Sequence, residues 1–222
     1  MGKPVTSKMT KSISIFDQNF ILHASGALFW EEEDMLLISD VHLGKVSHFR
    51  KFGSAVPQNA LLGNYQKLDE AVDFFKPQKL VFLGDLFHSS LNKEWLFFEA
   101  WMENVSSEVI LVEGNHDIIS PLKYEALGVK LTPEIILKNF LLTHHPEERP
   151  GFFNFSGHLH PGVRIKGWAR QSLKLPCFFK TETQMILPAF GEFTGKHILS
   201  PKKGDEVFVI TKEEVICLVG GI

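Results

Sequence analysis

The amino-acid sequence predicts an α/β fold in which two sheets face each other and helices lie outside them. Three observations predict it. Short apolar runs that end abruptly in glycine or polar residues occur five times, which is typical of strands buried on both faces. Segments with helical spacing alternate with strands in the first two thirds of the chain, and strand-like runs dominate the last third. The 222 residues show no linker or internal repeat, so a single domain over residues 1–222 is expected.

The five apolar runs share one pattern. Each is rich in Leu, Ile, Val and Phe, leads into glycine or a small polar residue, and then reaches Asp, Asn or His. The runs are MLLISDVHLGK (35–45), KLVFLGDLFHSS (79–90), VILVEGNHD (109–117), NFLLTHHP (139–146) and FFNFSGHLHP (152–161). Their polar residues are therefore expected at the rim of a sheet, where α/β folds usually assemble their sites.

The remaining elements are predicted from periodicity and from turn residues. Helices are expected over residues 60–75, 94–103 and 122–127, the first of them ended by Lys76-Pro77. Other strands are expected at residues 12–22, 27–30, 177–179, 185–187, 206–210 and 215–219.

Composition excludes several classes of protein. A hydrophobic fraction of 44%, a mean hydropathy of +0.02 and a net charge of -3 are typical of a soluble globular protein that does not coat nucleic acid by charge alone. A local basic rim stays compatible with this charge. Cys177 and Cys217 lack metal-type spacing, so they are expected to be core thiols. Neither a signal peptide nor a membrane-spanning run is found, which predicts a cytoplasmic protein without a membrane partner.

The polar ends of the five runs supply many candidate metal ligands and no sulfur among them. Oxygen and imidazole donors in such a mixture suit Mn, Fe or Zn, whereas Mg or Ca favours nearly all oxygen. There are enough donors for two ions that share one carboxylate. The candidates are Asp40, His42, Asp85, Asn115, His116, His144, His145, His158 and His160.

The order Asp-x-His, Gly-Asp, Gly-Asn-His-Asp, His, Gly-His-x-His resembles the calcineurin-like metallophosphoesterase superfamily. The resemblance implies a four-layer α-β-β-α sandwich of two facing mixed sheets with helices outside. It also implies a dinuclear metal-dependent phosphoesterase, because paired cations activate water and stabilise the attacking and leaving oxygens of a phosphoryl group. The metal ligands that it implies are Asp40, His42 and His160 for one ion, Asn115, His144 and His158 for the other, and Asp85 as the bridge.

The same resemblance implies catalytic roles. A metal-bridging hydroxide is the expected nucleophile, and His116 is the expected general acid for the leaving oxygen. Asp117 either orients the His116 ring or caps the following turn. His144 is preferred over His145 as ligand, and the two are not expected to reach the same ions, because adjacent side chains in a strand face opposite ways.

Closer resemblance is to the bacterial ligase-associated DNA-damage-response phosphoesterases. It implies Mn-dependent phosphodiesterase and endonuclease activity on DNA or RNA, a link to DNA repair, and ligase or helicase partners. His145 departs from the family, whose members carry Glu there. The segments that carry the resemblance are SDVHLGKVSHFRKFGSAVP (39–57), GDLFHSS (84–90), LVEGNHD (111–117), GHLHPGVR (157–164), LPCF (175–178) and LPAFGEFTG (187–195).

His88 lies in the segment GDLFH, which is similar to that of metallophosphoesterase nucleases of double-strand-break repair. In phosphoprotein phosphatases the equivalent residue is Asp, with Arg beside it, so the segment argues against that class. His88 either assists His116 as a second catalytic residue or orients a metal ligand.

Two basic groups flank the motifs and are candidates for contact with a nucleic-acid backbone. The alternative for each of these residues is an ordinary solvated surface charge without contact to a substrate. Trp168 and Phe193 are either stacking platforms for bases or, more in keeping with a Phe-rich chain, core residues. His23 and His197 lie outside any motif and are assigned to ordinary structure. The substrate-binding candidates are Lys45, His48, Arg50 and Arg164, with Lys51, Lys166, Arg170 and Lys174 beside them.

Two alternative functions share much of this pattern. A nucleotide-pyrophosphate hydrolase would carry the same ligands, but no apolar insertion for a lipid is found. A non-catalytic scaffold of the superfamily would be expected to lose ligands or the acid histidine, and every one is present. The sequence leaves the preferred nucleic acid, exo- or endonucleolytic attack, the native metal and the oligomeric state open.

Overall fold

The computed structural model describes residues 8–45, 59–88, 91, 94–166, 172–192 and 194–218, and these form two mixed sheets. In the first sheet the strands follow one another in chain order. The first four are paired antiparallel, and the fourth to the seventh run parallel. The strands are β1 (Thr10–Ile15), β2 (Gln18–His23), β3 (Leu28–Trp30), β4 (Met35–Ile38), β5 (Lys79–Leu83), β6 (Glu108–Val112) and β7 (Lys130–Thr132).

The second sheet is built from the last part of the chain. Its strands are β8 (Ile135–Leu137), β9 (Phe140–Leu142), β10 (Phe153–Ser156), β11 (Pro161–Lys166), β12 (Ser172–Lys180), β13 (Gln184–Ile186), β14 (His197–Ile198), β15 (Glu206–Ile210) and β16 (Val215–Leu218). The order is β14-β11-β12-β13-β10-β9-β8, with β15 paired to β12 and β16 to β15. Strand β10 runs parallel to β9 and β13, whereas β11 and β12 form an antiparallel ribbon. The prediction of two mixed sheets is confirmed.

The helices are α1 (Asn59–Phe75), α2 (Glu94–Met102) and α3 (Pro121–Glu125). Each contributes to one apolar cluster with the outer face of the first sheet. Tyr65, Phe98 and Tyr124 come from the helices, and Leu80 and Phe82 come from β5. Strand periodicity explains the arrangement, because alternate residues of β5 face the helices and the others face the second sheet.

The core between the sheets is aromatic. The ring of Phe20 in β2 lies 5.3 Å from that of Trp30 and 4.9 Å from that of Phe155 in β10, so the two sheets interlock. Phe140 packs against Phe155 at 5.7 Å. Burying each such side chain stabilises the fold by roughly 1.5–3 kcal/mol relative to leaving it exposed.

The outer face of the second sheet carries a smaller cluster formed by Val163, Cys177, Phe179, Val207 and Val209. In the described part of the chain, this cluster draws on strands and their loops, and all three helices pack on the first sheet. Burial raises the pKa of the Cys177 thiol to about 12, as expected for a core cysteine.

One predicted strand is wrong. Residues 12–22 form a hairpin of β1 and β2, because Phe16 and Asp17 adopt φ angles of 48° and 59° and reverse the chain. Positive φ at both central residues is the geometry of a two-residue hairpin turn, and the sequence lacked the usual Asn-Gly or Asp-Gly signal. Among the described helices, none is long and apolar enough to cross a membrane.

Candidate metal centre

Polar loops that follow parallel strands meet at one edge of the sandwich. Strands β4, β5 and β6 run parallel in the first sheet, and β9 and β10 run parallel in the second. Since carboxyl ends of parallel strands meet at one edge, the residues after them are brought together. A predicted ligand follows each strand within three residues, namely Asp40, Asp85, Asn115, His144 and His158.

The first group of donors is formed by Asp40, His42 and His160, whose ligand atoms all lie within 4.8 Å of one another. His42 Nε2 is 3.2 Å from His160 Nε2, and His160 Nε2 is 3.3 Å from Asp40 Oδ1. Asp40 and His42 are 0% and 3% exposed. Asp85 adds a fourth atom, because its Oδ2 is 3.9 Å from His42 Nε2.

The second group surrounds His144 Nε2. This nitrogen lies 3.0 Å from Asn115 Oδ1, 3.2 Å from His158 Nδ1 and 3.4 Å from Asp85 Oδ1. His144 Nδ1 lies 2.9 Å from the carbonyl oxygen of Leu83, to which it donates its proton. Because a neutral imidazole carries one N–H, Nε2 then presents a lone pair to the three other donors.

Both groups fit metal cations. Two nitrogens bound to one ion at about 2.1 Å lie about 3.0–3.4 Å apart for tetrahedral to octahedral angles, and both imidazole pairs lie 3.2 Å apart. Within the described residues, Asp40 Oδ1 is buried without a hydrogen-bond donor. A cation satisfies both features, since convergent lone pairs and a buried carboxylate oxygen otherwise repel one another. The two oxygens of Asp85 face different groups, which is the position of a bridging ligand.

Electrostatics keep the imidazoles in their ligand form. Burial, followed by the charge of Lys45, lowers the pKa of His42 to about 2. Burial, followed by the neighbouring His145 and His144, also lowers the pKa of His158. Both rings are therefore neutral at pH 7, which is the form that binds a metal.

The backbone holds these side chains in a conformation that is unfavourable for them. Left-handed backbone costs roughly 1–2 kcal/mol for a residue with a Cβ, so other contacts must hold it. The backbone N–H of His158 donates to Asp40 Oδ2 at 2.9 Å, and that of His116 donates to Asp85 Oδ1 at 2.9 Å. The residues concerned are Asp40 (φ 52°), His42 (φ 51°), Asp85 (φ 51°), His158 (φ 66°) and His160 (φ 48°).

Glycines allow the loops to approach one another. A Cβ on Gly84, whose φ is 77°, would lie 2.2 Å from His144 Nδ1. A Cβ on Gly157 would lie 2.4 Å from Asp40 Oδ2. The glycines of the Gly-Asp and Gly-His-x-His motifs are therefore spacers that the ligand side chains require.

A comparison with protein families identifies this arrangement. A sequence model of the calcineurin-like phosphoesterase family matches residues 35–172, which contain every residue of both donor groups. The chain belongs to the calcineurin-like phosphoesterases. It is a metal-dependent phosphoesterase, as the motifs predicted.

Solved structures of other proteins are also similar to this chain. The structure of the Pseudomonas putida nuclease MPE is similar to this phosphoesterase with a TM-score of 0.78 and 27% identity, over 94% of this chain and 100% of that one. A protein of unknown function from Aquifex aeolicus, AQ665, is similar with a TM-score of 0.43 and 17% identity, over 57% of this chain and 78% of that one. No curated protein matches the chain.

The two predicted catalytic histidines of the phosphoesterase lie beside the first donor group. The rings of His88 and His116 are 4.8 Å apart, and they lie 5.2 Å and 5.8 Å from the ring of His42. His116 is half-buried, so part of the residue is open to solvent beside this donor group.

The Asp117 carboxylate binds three backbone N–H groups, and none of the three belongs to the following turn, whose capping the sequence offered as one of two roles. Its carboxylate accepts the backbone N–H groups of Asp85 (2.8 Å), Gly114 (2.9 Å) and Phe87 (3.2 Å). These bonds join the loop after β5 to the loop after β6. Burial raises the pKa of Asp117 to about 6, and the three N–H donors oppose that rise.

His145 lies closer to the second donor group than the alternation of strand side chains predicted. Its ring lies 4.0 Å from that of His158, and its ligand atom lies within 4.8 Å of those of His144 and His158. Both His144 and His145 come after the end of β9, where side chains no longer alternate across a sheet. His145 therefore borders the second donor group from the solvent side.

The predicted substrate-binding residues are only partly described. Lys45 is half-buried, and its ammonium interacts with the carboxylates of Asp40 and Asp85. Arg164 is exposed on β11, which begins immediately after His160. His23 is an ordinary buried histidine, with Nδ1 2.8 Å from Ser25 Oγ. His48, Arg50, Lys51, Trp168, Arg170, Phe193 and the side chain of Lys166 lie outside the described residues.

Proposed function

We propose that this phosphoesterase is a dinuclear phosphodiesterase that cleaves nucleic acid, DNA above all. The observation that carries the proposal is Asp85, whose two oxygens face two separate groups of nitrogen and oxygen donors. The similarity to a P. putida nuclease over nearly the whole of both chains supports nucleic acid as the substrate.

The residues divide into ligands for two ions. Asp40, His42 and His160 would hold one, and Asn115, His144 and His158 would hold the other. The mixed nitrogen and oxygen donors favour Mn over Mg, with Fe or Zn as alternatives. Bound there, two divalent ions would polarise a phosphoryl group and lower the pKa of a bound water.

The surrounding residues complete the reaction. His116 donates a proton to the leaving oxygen. Its backbone N–H donates a hydrogen bond to Asp85, which keeps His116 beside the centre. The ring of His88 lies 4.8 Å from that of His116 and 5.2 Å from that of His42, and His88 either assists His116 or orients a metal ligand. Lys45 brings a positive charge to the scissile phosphate. The proposal includes a role in DNA repair in the cytoplasm, with a ligase or helicase as partner.

Purified protein tests the proposal with bis(p-nitrophenyl) phosphate, single-stranded and plasmid DNA, and a nucleotide diphosphate, each with Mn, Fe, Zn or Mg. We expect hydrolysis of the diester and of DNA with Mn and its loss on chelation. Asp85→Asn should remove activity together with bound metal. His116→Gln should keep two metals per chain and lose about 10²–10⁴-fold in kcat.

Asp73→Asn, an exposed carboxylate on α1, is the control for Asp85→Asn and should match the wild type. Hydrolysis of the nucleotide diphosphate in place of DNA would instead support the pyrophosphate hydrolase. A protein that stays inert with every metal and holds none would support a scaffold.

A further inference from the structure

A small cavity opens beside His160, and neither His116 nor His88 is among the described residues that line it. Its volume is about 180 Å³, below the roughly 300–1,000 Å³ of pockets for drug-sized molecules. A group of about the size of a phosphate suits it better than a whole ligand. Its wall includes His160, Lys67, Pro176, Thr194 and Lys196.

Lys67 reaches this cavity from α1. Its ammonium donates to the carbonyl of Phe190 at 2.6 Å and lies 4.2 Å from the centre of the Phe190 ring. A lysine has three N–H donors, so one carbonyl leaves capacity for an anion. Burial lowers the pKa of Lys67 to about 8, with Glu192 opposing, so the side chain is mostly charged at pH 7.

The charge around the cavity is positive on balance. Lys67 and Lys196 face one carboxylate, that of Glu192. Glu192 lies against α1, where its Oε2 is 3.2 Å from the place of a Cβ on Gly63. One positive charge therefore stays uncompensated beside a centre where the reacting group is itself an anion.

The ribbon of β11 and β12 continues from the cavity. Gly162 and Pro176 are partners across the ribbon, and a Cβ on Gly162 would lie 3.1 Å from Lys196 Cβ. Two residues further along, on the same face, Arg164 is the direct partner of Lys174. That step is roughly 6.6–6.8 Å at the usual rise of a strand.

The pair of Arg164 and Lys174 places like charges directly opposite each other, which destabilises a sheet. Both side chains are exposed, and within the described residues neither forms an ion pair. The same strand shows the ordinary solution at its other end. There Lys180 is the partner of Glu206, and the two form an ion pair.

We propose that the cavity at Lys67 and Lys196 binds a non-scissile phosphate of the substrate strand, and that Arg164 and Lys174 bind the phosphate beyond it. The nucleic-acid strand then leaves the metal centre past His160 and follows the β11–β12 ribbon. This inference rests on the proposed function, since it requires a polynucleotide, in which successive nucleotides each carry a phosphate. It makes Lys67 a binding residue that contacts substrate without touching the reacting atoms.

The test compares a substrate that has one phosphate with one that has many. We expect Lys67→Met, and separately Arg164→Gln with Lys174→Gln, to lower kcat/KM at least tenfold more for a single-stranded oligonucleotide than for bis(p-nitrophenyl) phosphate. For the oligonucleotide, log(kcat/KM) decreases as log salt concentration rises. The magnitude of this negative slope should become smaller by about 0.7 for each phosphate contact removed. If these residues had only a structural role, the variants would lower kcat/KM by the same factor for both substrates and leave the slope unchanged.

Lys180→Gln is the matched control, because it removes a lysine from the same strand and should leave that slope as in the wild type. If Lys67→Met does not fold, the exposed pair decides, since its side chains support no packing. Equal losses on both substrates with an unchanged slope would overturn the subsite while the nuclease function stood. Wild-type protein that cleaves the diester and no oligonucleotide would overturn the proposed function itself.

Discussion

Residues with positive φ occur in two regions of the described chain, and the comparison separates strain that serves a site from strain that serves a turn. Five lie at the metal centre and are proposed ligands. The other five non-glycine residues lie in connections between elements, namely Phe16, Asp17, Asp34, Lys76 and Lys138. At a turn the conformation reverses or ends an element, so many side chains serve. At the centre it directs one particular side chain toward a shared ion.

The centre should therefore be more sensitive to volume than the turns are. In Gly157→Ala the new Cβ would lie 2.4 Å from Asp40 Oδ2 and 2.7 Å from Ser39 Cβ. Asp40 must move, and a displacement of about 1 Å in such a site costs on the order of 10²-fold in rate. We expect at least that loss of kcat, together with weaker binding of one metal ion by calorimetric titration.

Gly128→Ala provides the contrast. Gly128 has φ 79°, and a Cβ at this residue would have no other group within 4 Å, so the substitution strains the backbone without touching a neighbour. It should lower the free energy of unfolding by about 1 kcal/mol and leave kcat and metal binding as they are. Equal activity of the two variants would remove the distinction between the regions.

Buried histidines extend the comparison to charge. Burial lowers the pKa of both His42 and His23, the latter to about 4. Of these two histidines, His42 is the one whose ligand atom lies close to those of other candidate metal ligands. His23 instead contacts Ser25 and the rings of Phe74 and Phe75.

The effect of His23 on stability has a definite sign. Its folded pKa is below the unfolded value of 6.5, so the unfolded chain binds the extra proton. The contribution to stability is complete above pH 6.5 and is lost as pH falls from 6.5 toward 4. His23→Gln should remove about 1–2 kcal/mol of the change in unfolding free energy between pH 7 and pH 5, measured by urea denaturation.

The exposed His197 is the control for this measurement, and His197→Gln should keep the wild-type dependence on pH. Metal content should be the same in all three proteins. A His23→Gln variant that lost metal would show that this histidine belongs with the centre.

Much of this centre could be predicted because each ligand follows a buried strand by two to four residues, and apolar runs of this kind are visible in a sequence. Strand β11 of the ribbon was not predicted, because Arg164 and Lys166 interrupt the apolar pattern of this short strand. Lys67 could not be predicted either, since its contact with Phe190 joins residues 123 positions apart. Neither the left-handed conformation of the ligands nor the contact of Asp117 with the loop after β5 leaves a local signal, because both depend on how separate loops meet.

The smallest expected effect lies at the end of α1. Lys76 has φ 48°, and its N–H donates to the carbonyl of Val72 at 2.7 Å, as in a helix that ends on a left-handed residue. Glycine adopts this conformation without the steric cost of a Cβ, although it gains more freedom in the unfolded chain. Lys76→Gly should therefore raise the free energy of unfolding by about 0.5–1 kcal/mol, measured by urea denaturation, with kcat as in the wild type. At Asp40, whose φ is 52°, Asp40→Gly would relieve the same strain and still remove activity, because there the side chain is the reason for the strain.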